Sequence, residues 1–251
     1  MQPNLLILAG TTEATALARA VADRRLQGTL SFAGRVARPM RQPLPQRVGG
    51  FGGVAGLAAY LHAARITHVI DATHPFAAQM SRNAVAACAG AGVPLVALTR
   101  PPWAPQQGDD WIWVPDIGGA VAALDRPRTR VMLAVGRMHL AEFAPNPQHA
   151  YLLRLIDPPD AALPLPEAEV VVDRGPFDAA ADRALMVRHG IQLIVSKNAG
   201  GTGAYAKITA ARALGLPVVM IDRPEPPDRA ELHHVPAVLD WIAHTGTDLG
   251  V

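Results

Sequence analysis

Five loops in this 251-residue chain carry side chains that could do chemistry. In the first, Ala9-Gly10-Thr11-Thr12-Glu13, the apolar run Asn4 to Leu8 breaks at a glycine. Apolar residues then recur at Ala14, Leu17, Ala18 and Val21. That pattern reads as a strand, a tight turn and a helix N-terminus. Free N–H groups and the positive end of a helix dipole meet there, which suits a pyrophosphate. Thr11 and Thr12 add hydroxyls. The usual dinucleotide fingerprint has three glycines where this loop has one, so an ordinary capped turn fits the same residues. Glu13 would repel an anion if it faced one, so it must point elsewhere.

The second loop, Ser31 to Arg38, ends the next strand. NAD-binding folds place an acidic residue about 20 residues past the glycines to bind the ribose 2′-hydroxyl. Here there is no acid, but there are Arg35 and Arg38. A guanidinium grips a phosphate through two parallel bonds, which favours NADP over NAD; a solvated basic loop is the plainer alternative. The third loop, Gly49-Gly50-Phe51-Gly52-Gly53, is either a hinge or a segment that lets a ligand approach the backbone. The fourth, Asp71-Ala72-Thr73-His74-Pro75-Phe76, offers a histidine that could donate a proton, hold a phosphate or bond the backbone. The fifth, Ser196-Lys197-Asn198-Ala199-Gly200-Gly201, offers a cation, with Lys207 ten residues on. Arg137, Arg154 and Arg174 also fall at or near strand ends. Several cations around one cleft suit a ligand with several carboxylates, although each alone is also an ordinary surface charge.

Other chemistries are excluded or unsupported. The single cysteine, Cys88, rules out an intramolecular disulfide and a cysteine metal cluster. The nine histidines show no HExxH spacing, so no metal site is expected, and neither GxSxG nor a Walker lysine loop occurs. No Lys/Arg run suggests nucleic acid, and no apolar run approaches the length of a membrane span. Without a signal-peptide pattern the protein is expected to be cytoplasmic.

These loops need strands to present them. Strands are expected at Asn4 to Leu8, Thr29 to Ala33, Thr67 to Ile70 and Pro94 to Leu98, with helices between. Arg100-Pro101-Pro102-Trp103-Ala104-Pro105 breaks the rhythm and reads as a linker. The pattern restarts with strands at Val131 to Val135, Tyr151 to Ile156, Val170 to Val172, Leu193 to Val195 and Val218 to Ile221. Half of the residues are apolar, enough for a sizeable core. The expected fold is α/β: two Rossmann-like three-layer domains, 1–100 and 101–251, with mainly parallel sheets and a ligand cleft between them. No close sequence repeat links the halves.

The ordered set LAGTTEA, AGR, VGGFGG, DATHPFA, VGR, DRGPF and SKNAGG, followed by Lys207, resembles the precorrin-6A reductase family of cobalamin biosynthesis. The likeness covers roughly Leu5 to Arg223. The chain departs at Ala9, where the family commonly has glycine, and at Ala199, where it commonly has serine. The resemblance implies NADPH as cofactor and a polycarboxylate tetrapyrrole as substrate, one double bond of which is reduced. It implies that Gly10, Thr11 and Thr12 hold the pyrophosphate, that Arg35 and Arg38 hold the 2′-phosphate, and that Thr73 and His74 line the reactive end. Arg137, Lys197 and Lys207 are then expected to face the substrate carboxylates. The proton donor stays open between His74, Lys197 and bound water. The rival readings are another NADP-dependent reductase on the same scaffold and a non-catalytic nucleotide- or tetrapyrrole-binding module.

Overall fold

Asn4–Leu8 is strand β1, and its side chains alternate between two cores. Leu5 and Ile7 pack with Ala14, Leu17, Ala18 and Val21, the apolar stripe of helix α1 (Thr12–Asp23). Leu6 and Leu8 point to the opposite face. There they meet Leu57 and Leu61 of α2 (Gly53–Ala63) and Ala84, Ala87 and Cys88 of α3 (Ala78–Ala91). A strand covered on both faces reads as a continuous apolar run, which is why NLLIL is legible as a buried strand. Burial, and after it the Asp71 charge, push the Cys88 thiol up to about 12, so it is no nucleophile.

The structure is a computed structural model that describes residues 2–33, 41–159, 161–173, 175 and 177–245. The chain continues through β2 (Gln27–Phe32), β3 (Gln46–Val48), β4 (His68–Asp71) and β5 (Leu95–Leu98). A second series follows: β6 (Trp111–Val114), α4 (Ile117–Ala123), β7 (Arg130–Ala134) and a 3-10 turn at Arg137–Phe143. It runs on through β8 (Ala150–Leu155), β9 (Ala168–Val172), α5 (Ala179–Arg188), β10 (Leu193–Lys197), α6 (Ala206–Leu214) and β11 (Val218–Ile221). The last elements are β12 (Glu231–Leu232) and α7 (Val235–Thr245).

The strands form two parallel sheets, ordered β12-β5-β4-β1-β2-β3 and β6-β11-β10-β7-β8-β9. Both repeat one plan. In the inner five strands the chain winds outward from a central strand on one side, then crosses back and winds outward on the other; the remaining edge strand differs, β12 coming last in the first sheet and β6 first in the second. The order therefore reverses between β1 and β4 in one sheet and between β7 and β10 in the other. Ligands of open α/β sheets bind in the crevice at such a reversal, beyond the carboxyl ends of the strands.

The domain expectation needs one correction. The first unit contains residues up to Arg100 together with those from Glu225 onward; the second is Pro101–Pro224, not 101–251. The returning segment adds β12 to the edge of β5 through Ala97 N to Ala230 O and Thr99 N to Leu232 O, each 2.9 Å. Val238, Leu239 and Ile242 of α7 then complete the core beneath α1. Burying those side chains against the first sheet removes them from water, which holds the segment there. The proline-rich stretch after Arg100 is also more than a linker, since Trp103 is buried in the second core.

Candidate functional site

At the reversal of the first sheet, the loops after β1 and β4 lie side by side. A Cβ on Gly10 would sit 3.7 Å from the His74 backbone nitrogen. Thr11 caps α1. Its hydroxyl donates to Ala72 O at 2.8 Å and accepts from Ala14 N at 3.1 Å, so it ties the two loops together. The Thr12 hydroxyl donates to Glu13 Oε2 at 3.1 Å. Each hydroxyl has one proton to give, and here both go to protein acceptors rather than outward. Among the described residues, the amides of Gly10 to Glu13 donate to no protein acceptor, as a helix start requires. Glu13 is placed as well: its Oε2 pairs with Arg100 Nη1 at 2.5 Å.

The loop after β4 rests on a buried carboxylate whose partners the sequence does not reveal. Asp71 Oδ1 accepts from Thr73 N at 3.1 Å and from Thr73 Oγ1 at 2.7 Å. Its Oδ2 accepts from Ser81 Oγ at 2.6 Å and from Arg229 Nη1, which arrives on the returning C-terminal segment. A charge at 1% side-chain exposure needs such a counter-ion, and this one holds the Thr73–His74 turn in place. His74 Nδ1 accepts from Phe76 N at 3.2 Å. In the neutral ring the proton is therefore on Nε2.

Arg47 ties down the first part of the Gly49–Gly53 loop. Arg47 of β3 donates to Ser31 Oγ at 2.8 Å, Gly49 O at 2.9 Å and Gly50 O at 3.1 Å. Its guanidinium lies 3.8 Å from the Phe51 ring centroid, and Phe51 meets Tyr60 edge-on. Arg47 carries no motif and sits on a three-residue strand without apolar alternation, so no sequence signal marked it. Arg35 and Arg38, and Arg174 in the second half, lie outside the described residues.

At the reversal of the second sheet, Arg137 opens the turn after β7 and is exposed. Lys197 ends the neighbouring strand β10 and is half-buried. The structure thus brings these two expected cations to adjacent strand ends. Beside them Asn198 clamps the proline-rich segment: its Oδ1 accepts from Trp103 N at 2.8 Å and its Nδ2 donates to Trp103 O at 3.0 Å. Trp103 Nε1 donates to Gly201 O at 2.6 Å. Arg223 adds bonds to Asn198 O at 2.9 Å and Ala199 O at 3.0 Å. An open hollow of about 520 Å³ adjoins this clamp, lined by Trp103, Trp113, Pro102, Pro115, Asn198 and Asp222.

Two of the cations expected around a ligand cleft, with an ordinary surface charge as the alternative, are internal. Lys207 is 4% exposed and does not face outward to carboxylates as expected. Its Nζ donates to Ala204 O at 2.7 Å and lies 4.9 Å from the Trp103 ring centroid. Burial, then the nearby Arg154 charge, lower its pKa to about 7, with Asp182 opposing. Arg154 pairs with buried Asp182 and stacks on Phe177, 3.7 Å from the ring centroid, which accounts for its charge without a ligand. Among the described residues no group of three or more His, Cys, Asp or Glu is placed to hold a metal, and no helix is long and apolar enough to cross a membrane.

Fold and site together define a doubly wound α/β protein with a switch-point loop pair in each half. The family model described as precorrin-6x reductase CbiJ/CobK matches residues 4–243, and the chain belongs to that family. It is 55% identical to the precorrin-6A reductase of Rhodobacter capsulatus over 99% of both chains. It is 46% identical to that of a Sinorhizobium species, over 97% of this chain and 94% of the relative. A solved structure titled CobK precorrin-6A reductase superposes with a TM-score of 0.95 at 55% identity, covering 97% of each chain. The cobalt-precorrin-6A reductase of Priestia megaterium is 28% identical, over 88% of this chain and 91% of the relative.

Proposed function

We propose that this protein reduces one double bond of precorrin-6A to give precorrin-6B in cobalamin biosynthesis, with NADPH as the reductant. The observation that carries the reaction is the end-to-end match, at 55% identity, to a precorrin-6A reductase. The cobalt-free substrate is preferred because identity falls from 55% to 28% on passing to the cobalt-precorrin relative.

The residues of the first switch point fit a dinucleotide. The unbonded amides of Gly10 to Glu13 and the positive end of α1 suit a pyrophosphate, and Gly10 lets it approach the backbone. Phosphate contacts there come from backbone amides, since the Thr11 and Thr12 hydroxyl protons are committed to Ala72 and Glu13. Arg35, and beside it Arg38, supply the charge for a 2′-phosphate. NADPH supplies the hydride. In the first unit Asp71 and Arg229 would set the Thr73–His74 turn at the cofactor seat; in the second, Arg137 and Lys197 offer charges for substrate carboxylates. A proton must also reach the carbon next to the one reduced. His74 through Nε2, Lys197 and bound water are its candidate sources.

The direct test mixes purified protein, precorrin-6A and NADPH without oxygen and follows the nicotinamide absorbance. The proposal expects loss of that band only when precorrin-6A is present. A band that persists favours a non-catalytic binding module. Arg35→Ala is expected to weaken NADPH by about 1.5–3 kcal/mol while leaving NADH nearly unchanged, as measured by titration. Equal weakening of both cofactors would remove Arg35 from the 2′-phosphate site.

A further inference from the structure

We infer that Arg100 is a positioning residue for the cofactor, holding the Glu13 carboxylate off the pyrophosphate seat. The inference rests on the NADPH reading above. Glu13 is the acid in the first turn of α1. A carboxylate there favours the helix, but it competes with any anionic ligand for the same field and the same amides. With both threonine hydroxyl protons committed, the amides of Gly10 to Glu13 are the donors this turn offers a phosphate. An unrestrained carboxylate in the same helical turn would cancel much of their attraction.

The structure resolves the conflict with a guanidinium from elsewhere in the sheet. Arg100 follows β5, Glu13 follows β1, and β4 lies between those strands. The pair therefore reaches across the carboxyl end of β4, where the Thr73–His74 loop departs. The contact is 2.5 Å, with side-chain exposures of 14% for Arg100 and 24% for Glu13, so water screens it only in part. The Thr12 hydroxyl holds the same carboxylate oxygen. The geometry makes a tether that both directs and neutralises the acid.

Binding of NADPH and NADH, followed by nicotinamide fluorescence, tests this in Arg100→Met, Glu13→Gln and the double variant. Arg100→Met is expected to weaken both cofactors by the same factor, roughly tenfold or more, because the pyrophosphate is common to both. Glu13→Gln alone, and the double variant, should bind within about threefold of the native protein. The double variant lacks the ion pair as completely as Arg100→Met does. A purely structural loss would therefore persist in it, whereas an unmasked charge would not. A double variant as weak as Arg100→Met overturns the inference, since the loss then comes from the missing pair or from Arg100 itself and not from an unmasked Glu13 charge. So does weakening by Glu13→Gln alone, or unchanged binding in Arg100→Met. Native protein that binds neither cofactor overturns the NADPH reading itself, and this inference with it.

Discussion

Gly200→Ala is expected to destabilise the second unit by about 3–5 kcal/mol. Gly200 has φ of +67°, a left-handed conformation that an L side chain rarely adopts. A Cβ there would lie 2.3 Å from Pro101 O and 2.1 Å from Arg223 Nη2. The arginine tip can swing away, but the Pro101 carbonyl belongs to backbone clamped through Trp103 by Asn198. Relief must therefore open the clamp. Backbone strain of about 1–3 kcal/mol and overpacking of similar size add here. Gly215→Ala is the matched control: its φ is +63°, yet nothing lies within 4 Å of the added Cβ, so only the left-handed backbone cost of about 1–2 kcal/mol applies. Urea unfolding followed by tryptophan fluorescence separates them, since Trp103, Trp111 and Trp113 all lie in the second unit. Equal costs at the two glycines would contradict the close packing of Gly200 against Pro101.

The second large effect concerns Lys207. Its pKa falls from 10.5 to about 7 in the folded protein. Between those values the unfolded chain binds the proton and the folded chain does not, so stability rises with pH across that window. Each unit of depression is worth about 1.4 kcal/mol; because the folded group is still half protonated at pH 7, the native protein should be roughly 2 kcal/mol more stable at pH 9 than at pH 7 from this residue. Above pH 9 the buried Cys88 and Tyr151, both raised to about 12, act in the opposite direction, which sets the upper limit of the window. Lys207→Met should flatten the slope between pH 7 and pH 9 and stabilise the protein at pH 7, the lost bond to Ala204 offsetting part of the gain. It should also leave KM for precorrin-6A unchanged. An unaltered pH slope would place the ammonium in water. A raised KM would restore Lys207 to the substrate contacts implied by the family likeness.

These two residues also mark where sequence reading reaches its limit. The Gly10 and His74 loops were legible because each ends an apolar run and precedes a helical stripe. Strand order then brings them together at the reversal between β1 and β4. The burial of Lys207 was not legible, because its cover is Trp103, more than a hundred positions earlier. The same holds for Asp71. It stands inside a recognisable motif, but Arg229 is 158 residues away and belongs to a segment whose destination periodicity cannot name. Helix α7 shows why: Val238, Leu239 and Ile242 announce an apolar face but not which sheet it will cover. Glu13, awkward beside a phosphate in the sequence, is explained by a partner two strands away in the sheet. The shared winding of the two halves was hidden as well, since parallel strands need only apolar runs and tolerate wide sequence divergence.

The central claim is hydride transfer from NADPH to precorrin-6A on this chain. The measurement that tests it most directly uses NADPH carrying deuterium at the transferable position, with the product analysed by mass spectrometry. Precorrin-6B bearing a single deuterium, formed in step with NADPH oxidation, is the expected product. Product without deuterium, or NADPH oxidation without product, would contradict it.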